Sequence, residues 1–315
     1  MWRVKGPEMN PIKGILFKLG AVAMFIVMAA LVKAVAPRVP AGEAVFFRSA
    51  FAIPVILAWL WVRGGLATGL RVKSPMAHFW RGAVGTGAMG CMFASLGLLP
   101  LPEVTAIGYA TPLLVVVLAA MFLGEDVRAF RLFAVGLGLF GVIIVLEPRL
   151  TFFSGSTVES TQALGAVIAL MGALFASIAQ IHVRRMVQFE QTSAIVFFFS
   201  LTSTLLSLLT IPFGWVVPTG TEAMLLVTAG LLGGMGQIFL TSAYRYADAS
   251  VVAPFDYASM LAAIGIGYFF FAEVPTGQML AGAGLVVFAG VLIIWREHRL
   301  GLERRRARKS ITPQG

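Results

Sequence analysis

The chain has 315 residues, of which 59% are hydrophobic and only 12% are charged, with a formal net charge of +10 and a mean hydropathy of +0.90. Soluble globular proteins contain about 25% charged residues, so this composition excludes an ordinary soluble protein and predicts an integral membrane protein. The single cysteine, Cys91, excludes an intramolecular disulfide framework and a metal site built from several cysteines.

Ten apolar segments are long enough to cross a hydrocarbon core of about 30 Å, which takes about 20 helical residues. Their length and their lack of period-two alternation predict helices rather than the strands of a membrane barrel. The approximate limits of the segments are 12–34, 44–62, 76–98, 104–123, 130–146, 163–183, 194–213, 223–244, 249–271 and 278–295.

The third, fourth and fifth segments occur twice, because a shift of 148 positions places Gly82 to Val145 on Gly230 to Ile293 without a gap. Upstream, a shift of 151 places Lys33 on Arg184. A repeat of five segments crosses the membrane an odd number of times, so its two copies must have opposite orientations. We therefore predict an all-α integral membrane protein with ten transmembrane helices, arranged as two inverted five-helix repeats. The matched pairs include Gly85 with Gly233, Tyr109 with Tyr257, Glu125 with Glu273, and Gly136 with Gly284.

The repeat also divides the chain into predicted domains. Residues 1–11 form an N-terminal tail, residues 12–146 the first repeat, and residues 163–295 the second repeat. Residues 147–162 are rich in Ser and Thr and are the predicted linker. Residues 296–315 form a basic C-terminal tail.

The basic residues predict the orientation of these segments. With both termini in the cytoplasm, nineteen of the 24 Lys and Arg residues fall on the cytoplasmic side and three on the other side, while Lys18 and Arg48 lie within segments. This asymmetry predicts a multi-pass protein of the inner (plasma) membrane with cytoplasmic termini. We expect the basic tail to lie against an anionic lipid leaflet, so the positive charge requires no nucleic-acid partner. The first segment looks like a signal peptide, but its removal would leave nine segments and a first repeat without its first helix.

Patterns associated with catalysis do not fit their surroundings. The Gly136-x-Gly138-x-x-Gly141 pattern matches a dinucleotide fingerprint by letter, yet it lies inside an apolar helix with no preceding strand, where glycine serves helix packing. The three histidines do not form a zinc motif, and the sequence has no nucleophile elbow or Walker loop. We therefore predict no enzymatic activity, no catalytic residue, no metal and no cofactor.

The ten-helix plan, the glycine-rich fifth and tenth segments, and the repeated end of the fourth segment resemble the drug/metabolite transporter superfamily with two EamA-type domains. That repeated end is Leu123-Gly124-Glu125, matched by Phe271-Ala272-Glu273, and the resemblance covers about residues 12–295. It implies a secondary transporter with a small-molecule substrate site near the bilayer midplane, between the two halves.

Shorter motifs favour particular substrates within this superfamily. Pro40 to Ser49, together with Leu99 to Glu103, resembles the bacterial riboflavin importers, and Ser242 to Ala247 followed by Ala253-Pro254 resembles the S-adenosylmethionine importers. We therefore predict riboflavin uptake, with S-adenosylmethionine import or export of amino acids or other metabolites as alternatives. A lipid-handling or assembly protein that transports nothing is the alternative from another class. The sequence makes no prediction of the oligomeric state.

Polar side chains at membrane depth are costly and therefore mark candidate sites. Asp256 lies about 10 Å along the helix axis from the start of its segment, and Arg48 lies inside the second segment. Their repeat counterparts, Gly108 and Phe199, are uncharged, so the scaffold does not require either charge. The predicted substrate-binding residues are Arg48, Tyr109, Gln180, Gln237, Asp256 and Tyr257.

Other interpretations of these charges stay open at this point. Arg48 forms an ion pair with Glu43 or Glu103, or extends its stem so that the guanidinium reaches the membrane surface. Lys18 is expected to reach the cytoplasmic surface in the same way. Glu273, like its counterpart in the first repeat, is expected to cap or neutralise a helix end.

Overall fold

A computed structural model describes residues 10–123, 129–150, 157–186, 189–247 and 253–311, and these residues contain helices and no strand. The first repeat comprises α1 (Pro11–Val35), α2 (Ala41–Ala50 continued by Ala52–Val62), α3 (Pro75–Leu98), α4 (Leu101–Gly108 continued by Ala110–Leu123) and α5 (Ala129–Leu150). The second comprises α6 (Thr157–Met186), α7 (Thr192–Leu208), α8 (Gly220–Tyr246), α9 (a 3-10 turn, Ala253–Tyr257, followed by Ala258–Phe271) and α10 (Gly277–Ile311).

The helices match the ten predicted segments. Five are long and apolar enough to cross a membrane by length and composition, and four more contain shorter apolar stretches. The five longer spans are Pro11–Val35, Ala41–Val62, Leu101–Leu118, Ser160–Val183 and Gly220–Leu240. The protein is an all-α integral membrane protein whose ten transmembrane helices form two inverted five-helix repeats, as the sequence predicts.

The packing of the helices follows the repeat. Helix α1 packs along α8, and α6 packs along α3, which is the same contact under the repeat correspondence. Helices α5 and α10, which correspond to each other, pack together. Each half therefore buries its first helix against the third helix of the other half. The most extensive helix contacts in the described residues are those between the two halves.

The ends of the helices extend into the predicted connections. Helix α5 continues to Leu150 and α6 begins at Thr157, so the described parts of the predicted linker are helical. Helix α10 continues to Ile311 and takes in most of the predicted basic tail. We call the face at which α1 begins and α10 ends the terminal face, and the other the opposite face. That the terminal face is cytoplasmic stays a prediction.

Local sequence explains where several helices begin and end. Asn10 caps α1 by accepting a hydrogen bond from the Lys13 N–H, and a capping box between Thr219 and Glu222 opens α8. Helix α9 ends at Ala272, whose φ of 53° lies in the left-handed region that favours glycine. A non-glycine residue there costs about 1–3 kcal/mol. The turn directs the chain so that the Glu273 N–H donates to the Gly267 carbonyl.

Contact between α5 and α10 depends on two glycines. A Cβ added at Gly141 would lie 2.8 Å from the Gly282 carbonyl oxygen, and one added at Gly282 would lie 2.7 Å from the Gly141 carbonyl oxygen. Apart from the backbone of α5 itself, no heavy atom of the described residues lies within 4 Å of the corresponding position at Gly136, about one and a half turns earlier in α5. The glycine pattern of α5 thus contributes to close helix packing, as expected from its sequence.

We expect Gly141→Ala to destabilise the protein, because the added methyl group forces two backbones apart. Gly136→Ala is the matched control, and it should be neutral or stabilise by up to about 1 kcal/mol through helix propensity. Thermal unfolding of the two variants in detergent measures the difference. Equal unfolding temperatures would contradict the assigned role of Gly141.

Candidate functional site

An ion pair joins the two halves at membrane depth. Lys18 of α1 places its Nζ 2.7 Å from Asp256 Oδ1, at the start of α9. The Lys18 side chain is 2% exposed, whereas the Asp256 side chain is 47% exposed. The pair thus presents its carboxylate toward open space and keeps its ammonium group enclosed. The expectation that Lys18 extends to the membrane surface is wrong, because Asp256 lies within reach and satisfies its charge inside the protein.

A hydroxyl network fixes the backbone beside this pair. Tyr109 Oη lies 2.6 Å from Ser259 Oγ and donates to the Asp256 carbonyl oxygen at 3.3 Å, and Ser259 Oγ donates to the same carbonyl at 2.7 Å. The rings of Tyr109 and Tyr257, which are repeat counterparts, meet edge to face with centroids 5.1 Å apart. The Tyr257 hydroxyl lies against Gly290 of α10, where any side chain would collide with it. Three of the predicted site residues, Tyr109, Asp256 and Tyr257, are therefore brought together.

Arg48 lies in a separate group with Arg81 and Phe199. Its guanidinium carbon lies 5.6 Å from the centroid of the Phe199 ring, and that of Arg81 lies 4.2 Å from the same centroid. Arg48 is 3% exposed. Among the described residues it forms no ion pair with Glu43 or Glu103, so that predicted alternative is wrong. Its burial also rules out the interpretation in which the guanidinium reaches the membrane surface.

The two predicted glutamines lie outside both groups. Gln180 is exposed in α6, and Gln237 is half-buried in α8. Neither residue contributes a hydrogen bond to the Asp256 group or the Arg48 group within the described part of the chain. Their role in substrate binding stays a prediction.

Arg81 is the residue that the sequence interpretation missed. We counted it among the basic residues of the cytoplasmic side, yet it lies about 9 Å inside α3, which begins at Pro75. The signal was present, because the predicted third segment begins at residue 76 and so includes Arg81. Counting charges for orientation concealed a second buried arginine.

On the opposite face, polar contacts connect the halves. Lys33 Nζ lies 2.8 Å from Glu273 Oε1 and donates to the carbonyl oxygens of Leu96 and Leu99, while the Leu101 N–H donates to Glu273 Oε2. Glu273 thus lies at the first residue of α4, in agreement with its expected role at a helix end.

A more exposed pair lies on the same face, between Arg38 Nη1 and Glu222 Oε2 at 3.0 Å. Nearby, Glu43 Oε2 accepts a hydrogen bond from the Val216 N–H. These contacts also join the two halves of the protein, because each one pairs a residue of the first repeat with a residue of the second.

On the terminal face, Glu190 makes the same kind of contact that Glu43 makes on the opposite face, although the repeat shift of 151 places Glu43 on Ala194. Glu190 precedes α7 and accepts hydrogen bonds from the N–H groups of Lys73 and Ser74, in the connection between α2 and α3. Glu43, at the start of α2, binds the corresponding connection between α7 and α8. Each face therefore has one carboxylate that binds a connection of the other half. His78 Nε2 lies 3.6 Å from Glu190 Oε2 and forms an ion pair with it when protonated.

The hydrogen bonds to Glu190 change its acidity. Burial raises the pKa of this carboxyl, but the hydrogen bonds from the Ser74 and Lys73 N–H groups, together with the hydrogen bond and charge of His78, lower it by more, so its pKa lies below the ordinary value. A carboxyl whose folded pKa is depressed stabilises the fold at pH values above its unfolded pKa, about 4.3. This stabilisation is lost as the pH falls through the folded pKa.

Glu190→Ala is expected to destabilise the protein at pH 7 by about 1 kcal/mol, because two partly buried N–H groups lose their acceptor. Glu190→Gln is the matched control, since it keeps a side-chain oxygen and should lose less. The difference between the parental protein and Glu190→Ala should shrink as the pH falls toward 3. Thermal unfolding at pH 7 and pH 3.5 measures it, and a difference independent of pH would refute the assigned role of the carboxylate.

The described residues contain no group of three or more His, Cys, Asp or Glu side chains able to hold a metal ion. The charged groups instead suit the binding of a polar molecule: a half-exposed carboxylate at Asp256, and guanidinium groups at Arg48 and Arg81. These groups lie where the two halves pack against each other, so a change in that packing would alter their surroundings.

Comparison with known proteins identifies the family of the chain and supports the fold. A model of the EamA-like transporter family matches residues 12–147 and 154–296. The chain is 32% identical to the pseudopaline exporter of Pseudomonas aeruginosa over 284 residues, which cover 89% of this chain and 95% of that protein. It is 29% identical to a riboflavin transporter of Rhizobium johnstonii, covering 82% and 83% of the two chains.

A third relative is an S-adenosylmethionine uptake transporter of Rickettsia felis, with 26% identity covering 83% of this chain and 85% of that protein. A protein of known crystal structure superposes with a TM-score of 0.66 at 22% identity, covering 90% of this chain and 98% of that chain. At this identity the superposition establishes the fold alone.

Proposed function

The chain belongs to the EamA-like transporter family, and we propose that it is a secondary transporter that moves a small organic metabolite across the inner membrane. The placement of buried charge supports the proposal. Lys18 and Asp256 meet where α1 of the first half packs against α9 of the second, and Arg48 and Arg81 approach Phe199 of α7 from the first half. Ionisable groups at membrane depth are costly and are kept for function.

In this proposal the substrate binds between the two halves and meets Asp256 through its exposed carboxylate edge. Tyr257 supplies an aromatic edge beside it, and Tyr109 holds the Asp256 backbone in place from α4. Arg48 and Arg81 form a second part of the pathway. Gln180 and Gln237 are proposed as lining residues, since no hydrogen bond within the described residues occupies their amides.

Riboflavin is the first substrate to test, because both the sequence motifs and a named relative favour it. A flavin ring would pack against aromatic side chains. The Tyr109 ring is buried against Tyr257, however, so the half-buried Tyr257 is the better candidate for such contact. Uptake of S-adenosylmethionine is the alternative supported by another relative.

Export is the second candidate direction, and a specific observation favours it: the relative at 32% identity is named an exporter. Loading sealed vesicles with each compound and following both influx and efflux would separate import from export.

Growth of a flavin-requiring bacterial host at low external riboflavin tests the first substrate. We expect the host to grow with this protein and not with an empty vector. Every culture that carries the protein, whether or not it grows, must contain the protein in its membrane. Equal growth with and without the protein would exclude riboflavin uptake.

A further inference from the structure

Two buried guanidinium groups meet on one aromatic ring without an acidic partner. We propose that Arg48, Arg81 and Phe199 form a binding site for an oxyanion of a small organic molecule, such as a carboxylate or a phosphate group. The inference rests on the proposed transport function and deepens it, because it requires a metabolite that carries an oxyanion. Among the candidates above, it favours S-adenosylmethionine and amino acids, which have a carboxylate, over riboflavin, which has none.

The two arginines enter the helix bundle from opposite faces. Arg48 lies about 10 Å inside α2 from the opposite face, and Arg81 lies about 9 Å inside α3 from the terminal face. Since their guanidinium carbons lie 5.6 and 4.2 Å from the same Phe199 centroid, they are no more than about 10 Å apart. One small molecule with an acidic group can therefore contact both.

Part of the hydrogen-bonding capacity of both arginines is unused. Nε and Nη1 of Arg48 and of Arg81 are buried and have no hydrogen-bond partner among the described residues. A guanidinium has five N–H donors in a planar fork that fits the two oxygens of a carboxylate or phosphate. Buried polar groups in folded proteins are normally satisfied, so these donors point to a ligand that supplies acceptors.

Five of the described carboxylates are engaged with other groups. Asp256 pairs with Lys18, Glu273 with Lys33, and Glu222 with Arg38. Glu43 and Glu190 accept hydrogen bonds from backbone N–H groups. The face of Phe199 attracts both cations, yet a ring supplies no full negative charge and does not relieve the repulsion between Arg48 and Arg81. An incoming anion would supply a full negative charge and would relieve this repulsion.

The repeat provides the space for this arrangement. The Arg81 guanidinium passes over Gly85 of α3, and Arg48 Nε would lie 2.9 Å from a Cβ added at Gly233 of α8. Gly85 and Gly233 are repeat counterparts, and Phe199 occupies the position that corresponds to Arg48. The site thus lies where equivalent parts of the two halves meet, which is where an alternating-access transporter binds its substrate.

Thermal unfolding of the purified full-length protein in detergent tests the site without a transport assay. The probes are sodium acetate, succinate, citrate and phosphate at constant ionic strength, with sodium chloride as the reference and glycerol as a neutral control. We expect at least one oxyanion probe to raise the unfolding temperature in a saturable way.

The variants Arg48→Gln and Arg81→Gln should lose that shift, with half-saturation weakened at least tenfold. In the absence of probe they should unfold at the parental temperature or above it, because each removes an unpaired buried charge. Arg71→Gln, at an exposed arginine of the terminal face, is the matched control and should keep the full shift.

Three outcomes would overturn the inference. One is the absence of a shift with every oxyanion probe, and another is an unchanged shift in both arginine variants. The third is a shift produced by vesicles containing phosphatidylglycerol and by none of the soluble probes, which would assign the oxyanion to a lipid headgroup. An arginine-dependent shift without flux of any metabolite would instead support the site and contradict the transport function, so the two failures are distinguishable.

Discussion

Asp256→Asn is expected to lower the stability of the protein by about 3 kcal/mol, because it leaves the enclosed Lys18 ammonium without its counter-charge. Lys18→Met should cost less, since the Asp256 side chain that remains is 47% exposed and can be hydrated. The double variant Lys18→Met/Asp256→Asn removes both charges and should recover most of the lost stability. Unfolding temperature and membrane abundance of the four proteins form a double-mutant cycle.

The cycle also separates architecture from transport. If Asp256 serves the substrate, the double variant should be abundant in the membrane and inactive. If the ion pair is only structural, the double variant should be abundant and active. Equal stability of Asp256→Asn and the parental protein would contradict the ion pair itself.

The second large effect is expected at the opposite face, where Glu273 holds both Lys33 and the N–H of Leu101. Both side chains of this pair are mostly buried, with 13% and 15% exposure, so Glu273→Ala should destabilise by about 3 kcal/mol. The matched control on the same face is Arg38→Gln, which breaks a pair whose arginine is 50% exposed and should cost less than about 1 kcal/mol.

Thermal unfolding in detergent distinguishes these two pairs. Raising the salt concentration should reduce the loss of stability in Arg38→Gln more than the loss in Glu273→Ala, because salt screens exposed ion pairs more strongly. Similar losses for both variants would show that burial does not set the strength of the contacts across this face.

The helices could be predicted from the sequence because apolar length and the gapless repeat determine them almost alone. That the glycines of α5 serve close helix packing was also foreseeable from their spacing, but the spacing does not identify α10 as the partner helix. The site was foreseeable only in part. Asp256 stood out as an acid inside an apolar segment, but its partner Lys18 lies in the other repeat, and pattern alone does not pair residues across a fold.

The arginine pair shows a different obstacle. Arg81 lies near one end of its segment and Arg48 near the other end of a neighbouring segment, so each taken alone suggests contact with the membrane surface. Only the packing of α2, α3 and α7 shows that both turn inward onto Phe199. The place of a charge near the end of a segment is therefore a weaker guide to where its side chain points than the helices that pack against that segment.

Flux of metabolites through the purified protein in sealed liposomes is the measurement that tests the central claim most directly. The panel contains riboflavin, S-adenosylmethionine, amino acids and small carboxylates, and a fluorescent lipid reports movement between leaflets in the same vesicles. We predict saturable, protein-dependent flux of at least one metabolite. Movement of the lipid with no flux of any metabolite would contradict the transporter account and favour a lipid-handling protein on the same scaffold.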